Sequence, residues 1–299
     1  MKPVNESKEI RGIAKKQAGF RERISLVILV YNRADVIEKV VYEFYDQVIS
    51  KLPGSEFIIA EDGSTDGTKE VLAKLKQRLP IRLVQGKERK GYIKAMKDSL
   101  RAPRNSIVFR SDADGEHIPS DFWKLIEKID GNDIVVGYKV RRKPFYRLLI
   151  SRVNNFLIGL LFGVWLKDAN CGFVVARKEV IDSLVDEVGT LRWAINAEMV
   201  IRAHEKGYRI AQVPVQHRFA PSEVFPLSKM PGIIWQQFTE LFKLKAELGK
   251  EKQQKQETQE QEAKNRKKQK RDMDHQKQEN PIQTRQKSAK QKPGGGRKK

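Results

Sequence analysis

"SIVFRSDADGEHIP", residues 106–119, is the stretch that decides the fold. Its first four residues, Ser106-Ile-Val-Phe109, read as a short buried strand. That strand delivers the chain into Asp112, Asp114, Glu116 and His117, all within six positions. Carboxylates this close repel one another unless something positive sits between them. A second acidic residue two positions after the first, straight after a strand, makes a poor turn but a good site for a hard cation.

The same alternation repeats on both sides. Ile24–Tyr31 is a buried strand, followed by an amphipathic helix over about Asp35–Gln47. Glu56–Ala60 is a second strand, then a Gly-rich turn and a helix over Thr68–Arg78. Ile81–Val84 is a third, with a helix after Gly91. A helix starts at Pro119, where proline suits a first turn, and Asp133–Val136 is a fifth strand. A further helix is expected over Ala194–Lys206. Strands and helices taking turns predict an α/β fold, a mostly parallel sheet with helices on both faces.

Ligands of such sheets bind beyond the carboxyl ends of the strands. Tyr31-Asn32-Arg33 follows the first strand, Glu61-Asp62-Gly-Ser-Thr-Asp-Gly67 the second, and Asp112-Ala113-Asp114 the fourth. The 62–66 run also carries turn and N-cap chemistry. No Gly-x-Gly-x-x-Gly follows the first strand and no Walker-type loop occurs, which excludes the dinucleotide and P-loop readings. Paired-Cys and His-x-x-x-His zinc patterns are absent as well. A carboxylate pair holding Mg²⁺ or Mn²⁺ most naturally neutralises a diphosphate, with the metal as Lewis acid.

The 299 residues carry 59 Lys and Arg against 38 Asp and Glu, a net +21, which calls for an anionic partner. The single Cys171 excludes an intrachain disulfide and fits a reducing compartment. No run approaches the roughly 18–20 apolar residues of a membrane span, and residues 1–23 are polar and basic, so no secretory signal is expected. Composition breaks near residue 246. Residues 246–299 hold 17 Lys or Arg, 8 Asp or Glu and no aromatic, and are expected to be disordered, with a polar helix possible over Glu247–Asn265. The expected organisation is an extension over 1–23, a domain over 24–245 and a basic tail over 246–299.

Leu26-Val-Ile-Leu-Val-Tyr-Asn32, Glu61-Asp-Gly-Ser-Thr-Asp-Gly-Thr68 and Ser111-Asp-Ala-Asp114, in that order, resemble the family 2 glycosyltransferases, which have the GT-A fold. Asp133-Ile-Val-Val-Gly-Tyr-Lys139, Leu149–Asn155, Asp168-Ala-Asn-Cys-Gly-Phe173, Asn196-Ala-Glu198 and Gly207–Val215 extend the likeness toward the dolichyl-phosphate mannose synthase branch, over roughly residues 24–245. The resemblance implies an inverting, metal-dependent transfer of a hexose from a nucleotide-diphosphate sugar, GDP- or UDP-linked, to a polyprenyl phosphate. It places Tyr31 by the nucleotide base, Asp62 on base or ribose, Asp112 on the nucleotide sugar, Asp114 and Glu116 on the divalent metal, and Lys139, where the branch has Arg, near the diphosphate. Leu29, Arg33 and Ala113 fall in the donor-binding stretches. Leu29 replaces the usual Pro and Arg33 the usual Glu, so base preference does not carry over. Ser228 and Lys229 lie in a stretch that supplies phosphate contacts.

A hydroxyl acceptor needs a general base, for which Glu198 and Asp168 are the candidates; a phosphate acceptor needs cations, and Arg152, Arg218 and Lys229 are those. Glu198 also suits plain helix N-terminal charge, Asp168 a turn cap, His117 a cap or a supporting role beside the metal, and His217 a strand end or a phosphate contact. Phe145–Leu166 and Pro231–Lys245 have apolar faces, the second with Ile234, Phe238, Leu241 and Phe242, that suit either the core or a membrane surface. Periodicity alone favours the core; the resemblance to enzymes of polyprenyl phosphate, with the basic tail, implies peripheral attachment to an anionic membrane from the cytoplasmic side. Two rivals remain: transfer to a saccharide or protein hydroxyl, and nucleic-acid binding through the tail.

Overall fold

The computed structural model describes residue 20 and residues 22–140, 145–218 and 230–279. The chain divides into two compact units, Met1–Leu244 and Lys245–Lys299. Ser228, Lys229 and the last twenty residues of the tail lie outside the described residues.

The first unit is built on strands β1 (Ile24–Val30), β2 (Glu56–Glu61), β3 (Ile81–Gln85), β4 (Ile107–Asp112), β5 (Ile134–Lys139), β6 (Val174–Arg177) and β7 (Ile210–Val215). They form one sheet in the order β3-β2-β1-β4-β6-β5-β7. All neighbours are parallel except β6, which runs antiparallel to both β4 and β5. The helices are α1 (Ile37–Gln47), α2 (Thr68–Arg78), α3 (Tyr92–Arg101), α4 (Phe122–Ile126), α5 (Phe145–Phe162), α6 (Lys178–Leu184), α7 (Ile195–Glu205) and α8 (Met230–Glu279). The expected α/β architecture is thus present. Its boundaries move slightly: the first helix begins at Ile37, and the segment from Pro119 opens as a 3-10 turn over Pro119–Asp121 before α4.

Strand β1 is buried along nearly its whole length because it lies between β2 and β4 with helices above and below. That is why it reads as a continuous apolar run rather than an alternation. Helix α1 packs through Ile37, Val40, Val41 and Phe44, the i, i+3, i+4, i+7 stripe of an amphipathic helix. Alternate residues of β4 serve opposite faces. Phe109 meets Phe44, Phe122 and Phe173 at ring separations of 5.9, 4.7 and 4.8 Å. Val108 and Arg110 turn to the other face, toward α3, α6 and α7.

One expectation is corrected. Residues 246–279 are helical, not disordered: α8 runs unbroken to Glu279 with residues 252–273 exposed. Its Gln, Glu, Lys and Ala are strong helix formers, and i,i+4 pairs such as Gln253 Nε2 to Glu257 Oε1 at 3.1 Å support it without any buried face. The expected Glu247–Asn265 helix is part of it. The apolar face expected at the start of α8 is split: Leu241 is buried, whereas Ile234, Phe238 and Phe242 are exposed, as is Trp235 at 69%. On α5 and the segment after it, Phe156, Leu160 and Trp165 are exposed too. No helix among the described residues is long and apolar enough to cross a membrane.

Candidate active site

The carboxyl ends of β1, β2, β4 and β5 bring the expected residues to one edge of the sheet. Register places Leu29 of β1 opposite both Ala60 and Asp112. At the end of β1, Asn32 takes φ +49° and is locked to the next loop: its amide donates to Ser64 Oγ at 3.0 Å, and its Oδ1 accepts from Thr65 at 2.9 Å. The Arg33 amide donates to Thr68 Oγ1 at 2.9 Å. Tyr31 lies under Arg89, whose guanidinium carbon is 4.1 Å from the ring centroid. Asp62 is buried and accepts from the Lys90 amide at 2.8 Å and the Gly91 amide at 3.1 Å. It therefore holds the 86–91 loop, a role beyond the base or ribose contact that the resemblance implies. Neighbouring Glu61 accepts from the Ser64 amide, and its Oε2 is buried without a hydrogen-bond partner.

At the end of β4 the acidic run folds back on itself. Gly115, at φ +74°, allows the reversal that lets the Glu116 amide donate to Asp114 Oδ1 at 2.9 Å. Glu116 points inward. Its Oε2 accepts from His217 Nε2 at 2.5 Å and from Lys139 Nζ at 3.4 Å, while its Oε1 is buried without a hydrogen-bond partner. A bridge between His117 and His217 and the Arg218 amide bond to the Glu116 carbonyl, 2.8 Å, pin this turn to the end of β7. Here is the positive charge the sequence demanded: Lys139 beside Glu116 and Arg110 beside Asp112.

The electrostatics separate the three carboxylates. Burial opposes ionisation of Glu116, but the His217 hydrogen bond and Lys139 prevail and hold it at about 2. Asp112 is also below the usual range, because Arg110, His117 and Lys139 outweigh its burial. Asp114 is pushed up to about 7 by burial and by the charges of Asp112 and Glu116. It is the carboxylate short of a cation. His117 is driven down to about 3 by burial; its Nδ1 lies 3.0 Å from Ser111 Oγ, and its Nε2 is buried without a partner. Ala113 is buried between the two aspartates.

The Asp168–Phe173 loop closes over Asp112. A methyl group on Gly172 would stand 2.0 Å from Asp112 Oδ2, so a side chain there would displace that carboxylate. Asp168 is buried in the same loop, held to α5 by the Asn155 amide donating to the Lys167 carbonyl at 2.7 Å. Burial first and Asp168 second push the Cys171 thiol up to about 12, which fits the expected inert, buried cysteine.

The remaining expected residues divide. Arg152 is exposed on α5. Arg218 pairs through Nη1 with Glu43 Oε2 at 2.6 Å. Glu198 is fully buried; it accepts from the Gly189 and Leu191 amides at 3.0 and 2.8 Å and pairs with Arg202 Nε at 3.0 Å. A carboxylate so enclosed has no opening to a substrate, and we remove Glu198 from the candidate bases. Its Arg202 partner sits at i+4, a spacing visible in the sequence. Arg110, Arg89 and Gly172 were missed; the one advance signal was an arginine inside the apolar β4 run.

The chain matches the sequence profile of glycosyl transferase family 2 over residues 25–185. The chain belongs to glycosyltransferase family 2. Among the relatives are dolichol-phosphate mannosyltransferase of Pyrococcus furiosus, 28% identical over 64% of this chain and 55% of that protein, and polyprenol monophosphomannose synthase of Mycolicibacterium smegmatis, 27% identical over 71% and 82%. Glycosyltransferase AglD of Haloferax volcanii is 30% identical over 64% of this chain, which spans only 32% of its length. Glucosyl-3-phosphoglycerate synthase of Mycobacterium tuberculosis, solved with Mn²⁺, UDP and glucosyl-3-phosphoglycerate, superposes with a TM-score of 0.60 at 20% identity, over 82% of this chain and 86% of that one. The likeness shows the GT-A fold.

The family 2 site suits a divalent metal by its donor chemistry. Asp114 is poised between protonation and a cation, and the buried Glu116 Oε1 lacks a partner. Among the described residues no group of three or more His, Cys, Asp or Glu side chains is placed to hold a metal ion by itself. Mg²⁺ and Mn²⁺ that arrive with a diphosphate need only one or two carboxylates.

Proposed function

We propose that this chain is a metal-dependent, inverting hexosyltransferase that moves a hexose from a nucleotide-diphosphate sugar to a polyprenyl phosphate. The observation that carries the reading is the acidic turn at the end of β4, with Asp114 short of a cation and Lys139 beside Glu116. The names of the two prenyl-phosphate relatives support the acceptor. The Mn²⁺ and UDP of the structural neighbour support the donor and the metal.

In this reading Leu29, Tyr31, Arg33, Asp62 and Ala113 line the nucleotide, Asp112 holds the donor sugar, and Asp114 with Glu116 holds Mg²⁺ or Mn²⁺. The metal, when bound, supplies charge to the departing diphosphate; Lys139 adds to it. The acceptor phosphate is already an anion, so cations rather than a base orient it. Arg152 is an exposed candidate. Arg218 would have to be shared with Glu43, and Lys229 completes the set from the sequence. Asp168 is the remaining base if the acceptor is instead a saccharide or protein hydroxyl. Residues 24–245 would form the catalytic domain, attached peripherally to the cytoplasmic face of a membrane. Exposed Phe156, Leu160, Trp165, Trp235 and Phe238 are of the kind that seats in a bilayer interface.

Calorimetry of UDP- and GDP-hexoses with Mn²⁺ tests the donor half. Asp114→Asn should abolish metal-dependent binding while leaving the melting temperature unchanged; equal affinity with and without EDTA would sink the assignment. For the acceptor, lipid-linked product from polyprenyl phosphate should fall more with Arg152→Ala than with Asp168→Asn. The reverse order, with the loss of roughly 10²–10⁴-fold typical of a missing base, would point to a hydroxyl.

A further inference from the structure

Arg110 occupies the middle of β4, flanked by Phe109 and Ser111, and its side chain is 6% exposed. A buried guanidinium is costly unless it is paired, so its partners indicate why it is there. Nη1 stands 3.7 Å from Asp112 Oδ1 and 3.5 Å from Met96 Sδ, a weak acceptor. The guanidinium charge is also felt by the Tyr92 hydroxyl. Nη2 is buried with no hydrogen-bond partner. Beneath it a cavity of about 30 Å³, lined by Val108, Leu100, Ile181 and Val200, also receives Asn196, whose Oδ1 is likewise unpartnered. Alternation along β4 puts Arg110 and Asp112 on the same face. Asp112 therefore has Arg110 beside Oδ1, while Oδ2 lies in the space that a side chain on Gly172 would otherwise fill. Tyr92 directly follows Gly91, whose amide binds Asp62. One buried cation therefore links the loop that Asp62 holds to the carboxylate at the end of β4.

We propose that Arg110 is a positioning residue for the donor: its buried guanidinium fixes the Asp112 carboxylate in the orientation that meets the nucleotide sugar. An aliphatic residue of similar length would pack the same apolar surroundings more cheaply, and it would leave Asp112 without the cation beside its Oδ1. The proposal rests on the reading of Asp112 as a donor contact, and its test separates the two.

The test is a double-mutant cycle on Mn²⁺-dependent binding of UDP- and GDP-hexoses by the full chain. Arg110→Met and Asp112→Asn should each weaken binding at least tenfold, and the double variant should be no worse than the worse single, because Arg110 acts through Asp112. Arg110→Lys should recover part of the loss, with melting temperatures recorded for all variants. Losses that multiply in the double variant would overturn the proposal, and so would full affinity in Arg110→Met. If Arg110→Met does not fold, Arg110→Gln and Arg110→Lys complete the cycle. Failure of the wild type to bind any donor would sink the transferase reading instead. The crystal structure of the ligand-free Arg110 variant then decides the positioning claim: Asp112 should leave its place against Gly172, and an unmoved Asp112 would refute it.

Discussion

Glu198 shows how one carboxylate changes meaning once its neighbours are known. At the start of α7 it had the credentials of a base, but both oxygens are spent on the 189–191 turn and on Arg202. Removing one partner of a buried pair leaves the other uncompensated, at a cost of about 3–5 kcal/mol. Glu198→Ala should therefore lower the unfolding free energy in urea by that order while donor affinity in the folded fraction persists. A stable but inactive variant would restore Glu198 to the chemistry. The acidic turn itself was legible, since Asp112, Asp114 and Glu116 sit together in sequence. What tames it was not: Lys139, His217 and Gly172 come from elements that meet it only in the folded sheet.

Among the elements, long apolar runs bounded by turn residues announced β1 to β5. Strand β6 escaped notice because its four residues directly follow the Asp168–Phe173 motif and carry no turn signal of their own. The tail was misjudged by equating absence of a core with absence of structure, whereas helix propensity acts residue by residue. Helix α8 buries Leu241, Leu244 and Leu248, and beyond Glu251 its described side chains are exposed. A chain ending at Gly249 should keep its melting temperature within a degree or two and lose helical ellipticity at 222 nm in proportion to the residues removed. An undiminished signal per residue lost would mean the distal helix does not form in solution, and a large fall in melting temperature would mean it packs.

For the whole molecule, the proposed membrane attachment would draw on two separable attractions to an anionic bilayer, the net +21 and the exposed aromatic side chains on α5 and α8. Sedimentation with phosphatidylserine vesicles should weaken steeply as salt rises from about 0.1 to 1 M, where the Debye length shrinks from about 10 to about 3 Å. Trp235→Ser with Phe238→Ser should weaken binding at every salt concentration alike. Salt-independent retention, or no effect of the double substitution, would remove the corresponding attraction.

The hydrogen bond from His217 to Glu116 spans 101 positions of sequence. During synthesis at roughly 5–20 residues per second, about 5–20 seconds separate the emergence of the two partners. Throughout that interval the nascent chain carries its acidic turn without the imidazole that closes it. On the proposed function, donor recognition would be withheld until β7 has been made and docked. An abandoned translation product ending before β7 would carry the signature aspartates yet remain blind to nucleotide sugar, so truncated copies would not drain the donor pool.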